Sequence, residues 1–84
     1  MDVILGSSEK EKIKEVIQRM VAGESGLHTK TVGQVKLVRK STLPTLLADL
    51  VDRDILRGTL THVRTFHAKG HEVALYERRD LQGR

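Results

Sequence analysis

The residues of this chain best suited to chemistry are cations and hydroxyls rather than nucleophiles. Lys36, Arg39 and Lys40 follow one another with no acid between them, and Arg57, Arg64 and Lys69 do the same before Glu72 is reached. A basic balance of this kind fits nucleic acid, an anionic membrane or an acidic protein partner. On nucleic acid, lysine and arginine neutralise phosphates and release condensed counterions. Ser41, Thr42 and Thr45 follow the first group directly, and His67 and His71 flank Lys69 and suit phosphate contact or plain exposure. The bland alternative for such a run is a solvated face.

Other chemistries are poorly served. His62, His67 and His71 fall in one stretch, but no cysteine or aspartate completes a tetrahedral set at a suitable spacing, so no metal or other cofactor is expected. His28 stands alone beside Thr29 and reads as a capping or half-buried side chain. The carboxylates belong to helix surfaces, and no serine sits in a strained glycine-flanked turn, so no enzyme activity is expected. The absence of cysteine excludes a disulfide framework, a thiolate zinc site and a cysteine nucleophile.

The elements that must position these residues have to come from one small core. Eighty-four residues, 38% hydrophobic and 31% charged, fit a single globular domain over 1–84. Phe66 and Tyr76 are the aromatics, so the core is built from Leu, Val, Ile and Met, and base stacking is limited. The net charge of +4 is unevenly spread: acids and bases cancel from Met1 to Val35, while Asp49, Asp52, Arg53 and Asp54 separate the two basic groups. The apolar run Val3-Ile4-Leu5 is far too short for a signal-peptide core or a bilayer span, which gives the expectation of an intracellular chain with no membrane partner.

After an N-terminal extension over 1–7, Ser8 and Glu11 have the spacing of a capping box. Ile13, Val16, Ile17, Met20 and Val21 then recur at helical spacing, predicting a helix over 8–22 that stops at Gly23. Residues 27–29 have room for a short strand. A second helix is expected over 31–38, although Val32, Val35, Leu37 and Val38 form no single stripe and Gly33 lies inside it. A third helix is expected over 42–53, capped by Ser41 or Thr42, with Pro44 in its first turn and Asp54 ending it. Its buried face is read as Leu43, Leu46, Leu47, Leu50 and Val51. From Leu56 the helical period gives way to Thr, Val and Phe, predicting a hairpin over 56–79 with strands 59–67 and 71–78, then a tail over 80–84. Its turn is either a three-residue loop with Gly70 in a bulge or the two-residue Lys69-Gly70 turn.

Three helices and a hairpin, together with the run from Thr42 to Leu56 and the segment Lys69-Gly70-His71-Glu72-Val73-Ala74-Leu75-Tyr76, resemble winged helix-turn-helix DNA-binding domains. The shared features are a Ser/Thr cap, leucines at fixed offsets, a left-handed residue before an apolar pair, and a returning strand with tyrosine. Asp54 departs from the glycine usual there, and Lys36 from a small alanine. The resemblance implies an α+β winged helix and a double-stranded DNA-binding transcriptional regulator. In such a protein the third helix enters the major groove while the second helix and the wing grip flanking phosphates. This implies a DNA-binding set of Lys36, Arg39, Lys40, Ser41, Thr42, Thr45, Arg64, His67, Lys69 and His71, with Ser41, Thr42 and Thr45 at base edges and Arg39 or Lys40 at guanine. A single small module has limited contact area, so a homodimer on paired half-sites is expected, with Val3-Ile4-Leu5 either a dimer contact or part of the chain's own core. No pocket-forming motif is visible, so no small-molecule effector is expected. The alternative is a winged-helix interaction module docking a protein or RNA in a larger assembly.

Overall fold

A computed structural model describes residues 7–79. The first helix, α1 (Ser7–Val21), agrees with the sequence reading and buries Ile13, Val16 and Met20. It ends at Gly23, whose φ of +82° lets its N–H reach the Met20 carbonyl while Glu24 N–H reaches Arg19 O. This paired closure satisfies two carbonyls that a helix end leaves open.

The segment expected to be a second helix is a β-hairpin, β1 (Thr29–Val32) and β2 (Val35–Arg39). The reason is visible in its residues. Val35, Leu37 and Arg39 alternate with Lys36 and Val38, a period of two that shows one face to each side of a sheet and makes no helical stripe. Gly33, at φ +59°, opens the two-residue Gly33-Gln34 turn, where an interior helical glycine was expected. The short strand expected at 27–29 is displaced to β1.

A 3-10 turn, Lys40–Thr42, leads into α2 (Thr45–Arg57). Ser41 and Thr42 therefore lie ahead of the helix and do not cap it. Pro44 holds the N-cap position with no side-chain cap bond. Asp54 does not end the helix: its carbonyl instead accepts from Gly58 and Thr59 N–H, and Gly58, at φ +85°, takes the left-handed position. The last elements are β3 (Leu60–Ala68) and β4 (His71–Arg78), close to the expected strands. Lys69 and Gly70 both have positive φ, which selects the two-residue type I′ turn over the bulged loop. A register shift between His62 and Arg64 leaves Val63 unpaired in a bulge.

The hairpin is thus not a two-stranded wing. All four strands form one antiparallel sheet in the order β1-β2-β4-β3. β2 and β3 run parallel on either side of β4, and α2 crosses between them, a split β-α-β arrangement. Among the described residues, two α-helices and four strands replace the expected three helices and wing, so the winged-helix architecture does not hold.

The sheet carries one core on each face. Val32, Val35, Leu37 and Val73 pack with Ile13, Val16 and Met20 of α1. Val38, Leu60, Ala74 and Tyr76 pack with Val51 of α2 on the other side. This second core is thinner, and it overturns the expected buried face of α2. Val51 is 2% exposed, but Leu46 is 79% and Leu50 49% exposed. The cause is topological: with 29–39 in the sheet, no third helix covers the flank of α2 that turns away from the strands. Residues 1–6, including Val3-Ile4-Leu5, and the tail 80–84 lie outside the described residues.

Candidate functional site

Two surfaces bring together residues capable of recognition. The first is the end of the sheet where β2 finishes, α1 finishes and β4 begins. Arg39 closes β2 and is 3% exposed. Its guanidinium donates from Nη1 to Met20 O at 3.0 Å, from Nη2 to Glu24 O at 2.9 Å and from Nε to Thr42 Oγ1 at 2.8 Å, while its backbone N–H donates to His28 O at 2.8 Å. A buried cation needs such partners, and the carbonyl end of α1 offers a partial negative charge as well. Arg39 is therefore a clamp between β2 and α1, turned inward and out of reach of a phosphate.

The hydroxyls beside it are also engaged. Thr42 Oγ1 accepts from Arg39 and lies 3.4 Å from His28 Nδ1. Ser41 Oγ accepts the Glu72 N–H at 3.2 Å and lies within hydrogen-bond distance, 2.9 Å, of His71 Nδ1. These bonds fasten the 3-10 turn to the start of β4. Lys40 stands exposed in that turn, Lys69 is exposed two residues before His71, and Thr45 is exposed at the start of α2.

The remaining sequence-predicted residues do not join them. Lys36 is half-buried on the α2 side of the sheet, opposite Tyr76. Arg64 follows the bulge and lies on the α1 side opposite Leu75, its guanidinium carbon 5.8 Å from the centre of the Phe66 ring. Exposed His67 pairs with Glu72, on the face opposite His71. Lys40 and Lys69 therefore share one end of the sheet, and the two basic groups diverge elsewhere. The histidines separate too: His62 donates to or accepts from Thr65 Oγ1 at 2.7 Å and sits edge-on to Tyr76, with ring centres 5.6 Å apart. Among the described residues no three His, Cys, Asp or Glu side chains are grouped to hold a metal ion, and no helix is long and apolar enough to cross a membrane.

The second surface is on α2, whose leucines the sequence reading assigned to the core while its opposite face was expected to meet DNA. Leu46, Leu50, Arg53 and Arg57 succeed one another by four, three and four residues, so they share one side of the helix. All four are exposed. Leu56, near the end of the helix, is 87% exposed on another flank. The backbone of Arg79 lies beside the end of the helix, its N–H donating to Thr59 O at 2.8 Å, and exposed Asp49 and Asp52 share the helix with the two arginines. The spacing of Leu43, Leu46, Leu47, Leu50 and Val51 is that of an ordinary buried stripe, so the sequence carried no local signal of this exposure.

Electrostatic pairing is modest. Arg19 and Glu24 form a forked ion pair across the end of α1, with Nε–Oε1 and Nη2–Oε2 distances of 2.7 and 2.6 Å. The hydrogen bonding and charge of Arg19 hold the Glu24 carboxyl below its ordinary range, and Glu24 raises Arg19 in turn. Among the described residues this is the ion pair within 4 Å, and it leaves Arg53 and Arg57 uncommitted. Compared with known proteins, the chain matches no family model, no curated protein and no solved structure.

Proposed function

We propose that this chain is a protein-interaction module that docks through the exposed side of α2. The observation that carries the reading is the exposure of Leu46, Leu50 and Leu56 on a helix of 13 residues that fully buries only Val51. Single exposed leucines are ordinary, but several on one short helix, bordered by charge, are the composition of a contact surface. Covering Leu46 and Leu50 alone returns roughly 2–4 kcal/mol of apolar burial, given ~1.5–3 kcal/mol for a whole leucine. The reading requires no reaction and no cofactor.

The test places a photoactivatable crosslinking residue at position 50, and separately at position 14 on the far face of α1, in the chain expressed in its native cells. A discrete adduct from position 50 and none from position 14 is the expected result. Equal or absent adducts at the two positions overturn the reading.

A second reading, duplex DNA binding by a transcriptional regulator, is favoured by the exposed Lys40 and Lys69 at one end of a chain of net charge +4. It rests on charge alone, without a groove-reading helix, since Arg39 is buried and Lys36 and Arg64 lie on opposite faces. An anisotropy titration with mixed duplex at two salt concentrations tests it. Binding that falls steeply with salt and weakens in Lys40→Ala and Lys69→Ala supports it, and no binding at low salt removes it.

A further inference from the structure

Val51 is the one fully buried residue of α2 and so marks the side that faces the sheet. At about 100° per residue, the line directly opposite it runs between Asp49 and Arg53, each about 20° away, with Leu46 and Leu56 about 40° to either side. All four are exposed, and neither Asp49 nor Arg53 makes an ion pair within 4 Å among the described residues. They are spaced by three, four and three residues, so leucine, acid, base, leucine becomes leucine, base, acid, leucine when the helix runs the other way. We propose that this face receives a second copy of itself, giving a homodimer through two antiparallel α2 helices. This rests on the interaction reading above and names the partner.

The two-fold axis of such a pair crosses α2 at the level of Val51. It sets Asp49 against the partner's Arg53 and Leu46 beside the partner's Leu56, and each contact occurs twice. Positions 46 and 56 are about 15 Å apart along the helix at 1.5 Å per residue, so two leucine contacts bracket a central pair of salt bridges. The leucines supply the buried apolar surface. The ion pairs lose water on closing, so they select the register more than they add affinity. A parallel pair sets Asp49 against Asp49 and Arg53 against Arg53. A partner helix of one charge sign leaves either Asp49 or Arg53 facing its own sign, whereas the antiparallel copy satisfies both. Arg57, opposite the partner's Thr45, and Asp52 lie about 60° and 80° from the contact line, at a wet rim where their charges are screened.

Sedimentation equilibrium of the full chain tests this, with each variant first shown to be folded by circular dichroism. The expected result is a reversible dimer with a Kd on the order of 0.1 mM, weak because one 13-residue helix per copy offers less than a standard interface. Leu46→Ser/Leu56→Ser should weaken it at least tenfold. Asp49→Arg and Arg53→Asp should each weaken it several-fold when alone, since each sets like charges together. Mixed in equal amounts, these two variants should dimerise as tightly as the parent, because every central contact is then between opposite charges. An ion pair within one helix is lost in both variants and gives no such restoration. The chain has no cysteine, so Leu46→Cys and Leu56→Cys read the direction. An antiparallel pair forms a disulfide between the two variants, and a parallel pair forms one within each. A monomer up to millimolar chain, a dimer indifferent to these substitutions, a mixture no tighter than its components, or disulfides only within each variant overturns the proposal. The crosslink at position 50, on the rim of this contact, judges the broader reading separately. A discrete adduct with a different protein, from a chain that stays monomeric, overturns the second copy and leaves α2 a docking surface. Equal or absent adducts at positions 50 and 14 overturn the docking surface itself.

Discussion

Replacing Leu46 with alanine should leave the fold almost as stable as before, while Val51→Ala should damage it, although both residues lie on the same helix and both look like core in the sequence. Leu46 is 79% exposed and Val51 2%. About a fifth of the leucine side chain is withdrawn from water, worth roughly 0.3–0.6 kcal/mol of the ~1.5–3 kcal/mol for a whole leucine. Alanine's better helix propensity offsets part of that loss. Val51→Ala removes two methyl groups at ~0.8 kcal/mol each and leaves a cavity between α2 and Val38, Leu60, Ala74 and Tyr76, for a cost of about 2 kcal/mol. Urea unfolding followed by circular dichroism reads the difference. With a slope near 1 kcal/mol/M for a chain of this size, the midpoint of Val51→Ala should fall by about 2 M, and that of Leu46→Ala by less than about 0.5 M. A loss at Leu46 equal to that at Val51, at every protein concentration, would show that the leucine is packed inside the fold and would refute the reasoning. A loss that grows with protein concentration would instead reveal a second copy on this face.

Arg39→Ala should cost about 2–4 kcal/mol, because it strips donors from Met20 O, Glu24 O and Thr42 Oγ1 in a dry site, and Arg39→Lys should recover only part of this; an unchanged urea midpoint in both variants would show that no clamp exists. Acid titration of stability should distinguish the parent from Glu24→Gln. Glu24 is held below its ordinary range in the folded chain, first by the hydrogen bond from Arg19, so its contribution is present above the unfolded pKa and lost as pH falls through the lowered folded one. The variant should lack that part of the acid slope, and identical slopes would contradict the pairing. Lys69→Asn should stabilise the hairpin by roughly 0.5–1 kcal/mol, since Lys69 holds φ +52° in a type I′ turn that favours Asn-Gly; a lower melting temperature would contradict the turn assignment.

The elements legible in the sequence were those with one dominant period. α1 reads from Ile13, Val16 and Met20 alone, and the β3 and β4 pair reads from its Thr, Val and Phe content and from Lys69-Gly70. The segment 29–39 was obscured because Val32, Val35, Leu37 and Val38 serve both sides of a sheet. Apolar residues on both faces hide strand alternation, and the four residues of β1 are too short to restore it. Once that hairpin is taken for a helix, the leucines of α2 gain an imagined neighbour and Leu46 and Leu50 fall into a core that does not exist. The same error carried the candidate site with it. Arg39 reads as a surface cation in a basic run, yet its position at the end of β2 turns it toward the carbonyls of α1, a long-range contact that no local spacing reports. Ser41 and His71 do meet, because the 3-10 turn packs on the start of β4.

The claim that α2 presents a docking face is tested most directly by photocrosslinking from position 50 in the native cells, with position 14 as the reference. A discrete adduct from position 50 and none from position 14 is expected; equal or absent adducts at the two positions would contradict the docking face.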